Sequence, residues 1–412
     1  MTISCDTLPQ GTLNVEQAQA HILASIPVLQ ANEHVTLWQA QGRILAETVS
    51  APLDVPPHRN SAMDGYALRH ADLTTTTPLN VIGTAFAGRP FAGAVQPGEC
   101  VRIMTGAVVP DGTDSVVMQE NVQRDGDTIR LTATLQAGEN VRHPGEDMRT
   151  GDAVLQAGHK LNAADLGLLA SLGIGEVSVL RRPRVAFCST GDELKGIGET
   201  LQPGDIYDSN RYTLYGLLQK LDVEIIDLGV VKDTPEAVEH AFQQAMQLAD
   251  ILITSGGVSV GEADYVTATL LRLGQVNFWK IAMKPGKPLA FGTLGQGFFF
   301  GLPGNPVSVM ATFLLFLRPA ILRMRGESVP VVPEYPAICD TPLKKAAGRK
   351  DYQRGICQRD ASGQWRVSST GGQGSHILRS MSQANCFIVL PLEWSNVEAG
   401  TTVSIIPFEG LL

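Results

Sequence analysis

The sequence predicts a multidomain protein of mixed class. An α/β domain, with a parallel sheet covered on both faces by helices, stands between β-rich domains. Three observations lead there. Between 181 and 328, apolar strand-like runs alternate with amphipathic helical stretches, the pattern of a doubly wound three-layer sheet. From 35 to about 180 the chain consists of short apolar runs cut by Gly and Pro, such as PLNVIGTAFAG, CVRIMTGAVVP and SVVMQENV. After the Pro-rich stretch MRGESVPVVPEYP (324–336), short strand-like pieces resume in QWRVSS, CFIVLPL and TTVSIIPF, which fit a small all-β C-terminal domain.

Each element follows from local pattern. LNVEQAQAHILASI (13–26) has apolar residues at helical spacing, and NAADLGLLASLG (162–173) is a helical piece before the strand-like EVSVL. RVAFCST (184–190) reads as a strand, and SNRYTLYGLLQKL (209–221) as a helix capped at Asp208 or Ser209. VEIIDLGVV (223–231) is a strand, and PEAVEHAFQQAMQLA (235–249) is a helix with Pro at its first position. DILITSGG (250–257) is a strand, followed by a helix over roughly 264–273. Strands near 276–283, 288–292 and 297–302 precede a long helix that starts after GLPGNP.

Composition narrows the function. The chain has 412 residues, 44% hydrophobic and 18% charged, with a formal net charge of −9. That balance argues against general nucleic-acid binding, so any anion site must be a local cluster of cations and N–H donors. MTISCDTLPQ lacks the basic-then-apolar pattern of a signal peptide, and the longest apolar stretch (307–317) stops at Arg318. No membrane association is therefore expected. The six cysteines are scattered without a C-x-x-C, so reduced thiols and a cytoplasmic location are expected.

Ligands of open α/β sheets bind beyond the carboxyl ends of the strands. Three unusual loops fall there: STGDEL (189–194), TSGGVSVGEADY (254–265) and GLPGNPVS (301–308). In the second, Ser255, Gly256, Gly257, Ser259 and Gly261 form a loop whose backbone amides can cradle an anion. Glu262 and Asp264 follow at once, and carboxylates repel anions. A tight turn with Asp264 as helix cap is the simpler alternative. Glu193 and Asp233 add carboxylates at the same edge, although Glu193 can cap a helix and Asp233 can form a capping box with Glu236. Acidic groups beside an anion nest point to Mg²⁺ with phosphate. MKPGKP supplies Lys284 and Lys287, with Lys280 just before, as oxyanion-binding cations. Pro303, Gly304, Asn305, Pro306 and Ser308 make a rigid turn offering N–H groups and a side-chain amide. NSAMDGYA (60–67) and RIMTGA (102–107) place Asp64 and Thr105 in loops that local physics does not raise further. GRKDYQRG and GGQGSH hold Arg354 and Ser375, which can bind an oxyanion or lie on plain surface.

NSAMDGYA, RIMTGA, STGDEL, SGGVSVGEADY, KPGKP and GLPGNPVS, in that order, resemble the molybdopterin molybdenumtransferase family over nearly the whole chain, and gephyrin's cofactor-synthesis part as well. The resemblance implies four domains: a discontinuous N-terminal domain (12–50 and 146–180), a β-rich inserted domain (51–145), an α/β molybdopterin-binding domain (181–328) and a C-terminal β-barrel (329–412). The α/β domain would resemble the adenylyltransferase of the preceding step, itself a possible partner. A homodimer is implied, with its active site between subunits. The implied reaction converts adenylylated molybdopterin and molybdate into molybdenum cofactor and AMP with Mg²⁺. Asp64, Thr105, Glu193, Asp233, Asp264, Lys280 and Lys284 carry over as catalytic positions, with Asp264, Glu193 and Asp233 at the metal. Pro303 and Pro306 also match functional positions, and Ser259, Lys284, Lys287, Ser308, Arg354 and Ser375 match anion-binding ones. His58-Arg59 and Arg142-His143-Pro144 depart from the family pattern and alter loop charge. An Mg-dependent adenylyltransferase and a gephyrin-like scaffold are the alternatives; the extra β domains disfavour the first, and the lack of a long linker or second α/β domain the second.

Overall fold

The computed structural model describes residues 11–74, 78–257 and 265–411. The chain divides into two compact units, one of residues 34–179 and one formed by the residues before and after it.

The second unit is built on a seven-stranded sheet. Its strands are β1 (Thr12–Leu13), β2 (Arg184–Thr190), β3 (Glu224–Val231), β4 (Ile251–Ser255), β5 (Gly274–Ile281), β6 (Pro288–Leu294) and β7 (Gly297–Leu302), in the spatial order β1-β5-β6-β7-β4-β2-β3. All neighbours are parallel except around β6, which runs against both β5 and β7. The sheet is therefore mixed rather than purely parallel. The reason is local: β6 and β7 are joined by the two residues Gly295-Gln296, too few for a crossover, with Gly295 at φ +60°.

Alternation along each strand decides which face each residue serves. Val185, Phe187, Ile251, Ile253, Phe300 and Leu302 enter one core, with helices α1 (Val15–Ser25) and α2 (Ser209–Gln219) and a long C-terminal helix. Ala186, Cys188, Leu252, Ala290 and Phe299 enter the other, with α3 (Pro235–Leu248) and α4 (Tyr265–Leu273). The expected three layers follow directly.

Residues 12–33 depart from the expected domain boundary. They pack with the α/β unit rather than with 34–50: β1 extends the sheet edge beside β5, and Val15, Ala18 and Ile22 of α1 are buried in its core. The long helix α5 (Pro306–Met324) explains part of this docking. Its middle, Phe313–Leu317, is π-helical. Pro319 has no N–H to return to the carbonyl of Leu315, and Gln19 Nε2 from α1 donates to that carbonyl at 2.8 Å. α5 runs on through Arg318 and is long and apolar enough to cross a membrane, but it is mostly buried inside the unit.

The C-terminal part is a closed five-stranded barrel of β8 (Tyr335–Cys339), β9 (Lys350–Arg359), β10 (Trp365–Ser369), β11 (Cys386–Leu390) and β12 (Thr402–Pro407). Its order is β9-β10-β8-β12-β11, and β11 returns to β9. Met283–Lys284, from the loop between β5 and β6, pairs with Lys350–Asp351 of β9, which fastens that loop to the barrel.

The 34–179 unit holds a six-stranded sheet ordered 115–118, 65–68, 99–103, 79–85, 128–131 and 122–125. Separate cores cover its two faces, one with Ala67, Val101 and Val116 and the other with Tyr66, Cys100 and Val117. In the same unit Val49–Ser50 pairs with Ala153–Leu155 across the intervening insertion.

Candidate active site

The carboxyl ends of β4 and β7 meet the barrel at two adjoining clefts. The larger, about 1220 Å³, carries cations: Lys284, Lys287, Lys344 and Arg349 line it, together with Ser308 and Ser375. The smaller, about 570 Å³, carries acceptors: Glu193, Asp208, Asn210 and Asp233 line it. Gly256, Gly257, Gly304, Asn305 and His376 belong to both. One rim thus separates a donor-rich cleft from an acceptor-rich one.

The shared glycines are required by geometry. Gly256 and Gly257 have φ of +97° and +66°, a region that disfavours side chains. A Cβ on Gly257 would lie 2.6 Å from Val266 Cγ2, and one on Gly256 2.9 Å from the Thr190 carbonyl oxygen. The strand-end loop therefore turns with its backbone exposed to the clefts, as an anion nest needs. Ser259, Gly261 and Asp264, along with Glu262, lie outside the described residues.

Gly191 serves the acidic side. At φ +145°, a Cβ there would meet the Glu193 carboxylate oxygens at 2.5 and 2.8 Å, so that carboxylate folds over bare backbone. Asp233 stands beside it in the cleft, its amide donating to Asp192 Oδ1 at 3.3 Å. Ser255 accepts from Asn210 Nδ2 at 2.8 Å, and the same nitrogen donates to the Gly304 carbonyl at 2.7 Å. These two bonds tie the ends of β4 and β7 to α2. Pro303 lines the larger cleft and Pro306 the smaller.

On the cationic side, Lys284 Nζ lies 3.9 Å from the buried Asp351 Oδ2, which holds its ammonium at the barrel edge. Lys280 lies exposed on β5 and lines neither of these two clefts. Arg354 lies apart from them as well. It is 1% exposed and lines neither cleft; Nε donates to Ser380 Oγ at 3.0 Å and Nη2 to the Gly374 carbonyl at 3.1 Å. Burial pushes its guanidinium down to about 10, so it stays protonated at neutral pH. Its place is under the 371–376 loop, whose Ser375 carbonyl accepts the amide of Val307 at 3.1 Å. Lys344, Asp208 and Asn210 reach the clefts without having been singled out as ligand-binding. LKK is an ordinary lysine pair, and Asp208 carried only the signal of a helix cap.

Asp64 and Thr105 are brought together in the other unit. Gly65 and Ile103 are register partners in an antiparallel pair, so the residue before one strand meets the residues after the other. Asp64 Oδ1 accepts the Thr105 amide at 2.7 Å and its hydroxyl at 2.8 Å. Those two hydrogen bonds, with a smaller contribution from Arg102, hold the carboxyl below the usual aspartate range. Of the two departures nearby, Arg59 donates to the Thr113 carbonyl at 3.1 Å, tying its loop to the 110–113 turn, and the His143 amide donates to Glu146 Oε2 at 2.9 Å within its own loop.

Cys188 is fully buried, and burial pushes its thiol up to about 12.

Comparison with known proteins gives the same order of parts. Family models match residues 13–173 ("MoeA N-terminal region (domain I and II)"), 186–323 ("Probable molybdopterin binding domain") and 336–408 ("MoeA C-terminal region (domain IV)"). A molybdopterin molybdenumtransferase of Haemophilus influenzae is 48% identical over 97% of this chain and 100% of its own length. One from Nostoc is 38% identical over 92% and 89%. The gephyrin of Dictyostelium discoideum is 33% identical over 91% of this chain and 59% of its own. A crystal structure of a molybdopterin biosynthesis MoeA protein from Pyrococcus horikoshii superposes with a TM-score of 0.82 at 30% identity, covering 96% of this chain and 99% of that one. The chain belongs to the molybdopterin molybdenumtransferase family.

Proposed function

We propose that this protein inserts molybdenum into adenylylated molybdopterin, consuming molybdate and releasing AMP, and that it works with Mg²⁺ as a homodimer. The observation that carries the reading is the pair of clefts of opposite polarity sharing one glycine rim. The substrate would carry a pyrophosphate, and molybdate is a tetrahedral dianion; both call for lysines, hydroxyls and backbone amides. Lys284, Lys287, Ser308 and Ser375 supply those groups on one side, and the Gly256-Gly257 turn supplies amides between.

The donor set of the smaller cleft suits a hard cation in kind. Glu193 and Asp233 offer carboxylate oxygens, and the buried Thr190 hydroxyl beside them has no hydrogen-bond partner among the described residues. Among the described residues no three acidic, His or Cys side chains form a metal-binding group; the third ligand is assigned to Asp264 from its motif's match to the family. When bound, the ion would neutralise charge on the phosphoanhydride being cleaved. The chain's own residues do the rest. Lys284 and Lys287 hold the oxyanion, the glycine turn fixes the phosphates, and Asp64 of the partner subunit orients substrate or water.

The test is AMP release from adenylylated molybdopterin with and without molybdate. Molybdate-dependent AMP and cofactor formation is expected, abolished by Asp264→Asn with folding intact. AMP release indifferent to molybdate, or turnover of ATP with unmodified molybdopterin, would refute the reading.

A further inference from the structure

The smaller cleft holds buried acceptors that nothing among the described residues satisfies. Asp208 is 4% exposed and caps α2 with one oxygen only: Oδ1 accepts the Arg211 amide at 3.1 Å. Its second oxygen, Oδ2, is buried without a partner. Asn210 uses its nitrogen on Ser255 Oγ and the Gly304 carbonyl, which fixes the orientation of the amide. Its Oδ1 is likewise buried and unpartnered. Both residues line the cleft. Buried acceptors are nearly always paired in folded proteins, so two left open at one cleft mark where a ligand's donors arrive.

A cation or a pair of N–H groups would satisfy them. The cation proposed above already has Glu193 and Asp233 in this cleft, which leaves these two oxygens for N–H donors. We infer that Asp208 Oδ2 and Asn210 Oδ1 receive the N–H edge of the ligand's pterin, where the N3–H and the 2-amino group are adjacent donors. This rests on the molybdopterin reading above and assigns its parts: the pterin goes to the acceptor cleft, the phosphates to the shared glycine rim and molybdate to the lysine cleft. Asp208 and Asn210 thereby set specificity for a 2-aminopteridine.

The test uses two probes that differ at that edge, binding to the full-length protein. Pterin carries the 2-amino donor, whereas lumazine has a carbonyl oxygen in its place. A hydrogen bond to a charged group corresponds to roughly 10- to 100-fold in affinity, so the wild-type protein should prefer pterin by about tenfold or more. Asp208→Asn keeps the helix cap but places an amide where Oδ2 was, so the preference should vanish or turn toward lumazine. A purely structural role would weaken both probes alike. Asp208→Ser, which also caps the helix, should lose the preference without inverting it. Equal wild-type affinities, or a preference unchanged in both variants, would overturn the assignment. So would variants that lose Mg²⁺ affinity while keeping the pterin preference. Molybdate-dependent AMP release is measured on the same wild-type preparation: if it occurs while the pterin preference does not, the pterin assignment alone fails.

Discussion

Asp64 shows how a residue's chemistry depends on a partner that its own segment does not reveal. In NSAMDGYA it is one more turn aspartate; only the register between 65–68 and 99–103 delivers Thr105 to it. The Thr105 amide makes the larger contribution to its low pKa and the hydroxyl a smaller one. A group whose folded pKa is depressed contributes stability above its unfolded pKa, near 3.9, and loses it as pH falls through the folded value. Thr105→Val removes the hydroxyl and leaves the amide. The Asp64 titration, followed by carboxyl-carbon NMR, should therefore move up part of the way toward the ordinary aspartate value. A midpoint identical to wild type would mean that the hydroxyl bond does not form in solution. A return to the full ordinary value would mean that the amide bond contributes nothing.

At the scale of elements, the sequence was legible wherever a period or a turn residue forces the outcome. The strand-helix alternation from 184 to 324 gave the three layers, and the strand-end loops gave the rim glycines. It was not legible where an element's partner lies far along the chain. Nothing in TLNVEQ says that β1 and α1 join a sheet whose next strand begins at 184. The reversal of β6 depended on a two-residue turn rather than on its apolar pattern. Arg354 belongs to the same class. Its motif matched anion binding, but it lies within the barrel, and what it reaches is the 371–376 loop. Arg354→Lys preserves charge but cannot span both Ser380 and Gly374, because an ammonium lacks the planar fork. The variant should lose about 1–3 kcal/mol in denaturant unfolding. Amide exchange in 371–376 should quicken, and the KM for molybdate should rise more than kcat falls. Loss of kcat at unchanged KM and unchanged loop exchange would instead make Arg354 a direct participant in the chemistry.

At the scale of the whole molecule, the proposed chemistry draws on both units: the clefts belong to one, and the Asp64–Thr105 pair to the other. If the active site is shared between subunits, each site takes Asp64 from one chain and Asp264 from the other, and two inactive variants should rescue each other. Asp64→Asn and Asp264→Asn homodimers each have two defective sites. A mixed dimer concentrates both defects in one site and leaves the second site intact. Random reassortment makes half the dimers mixed, so an equal mixture should regain about a quarter of wild-type AMP release per subunit. A site built within one subunit behaves differently: every chain in the mixture keeps its own defect, and no activity returns. The comparison needs subunits that exchange, so the two variants are co-expressed with different affinity tags and the mixed dimer is isolated through both. Purified this way, it should show about half of wild-type activity per dimer. Monomeric behaviour of the wild type at assay concentration, or a doubly tagged dimer without activity, would rule out the shared site.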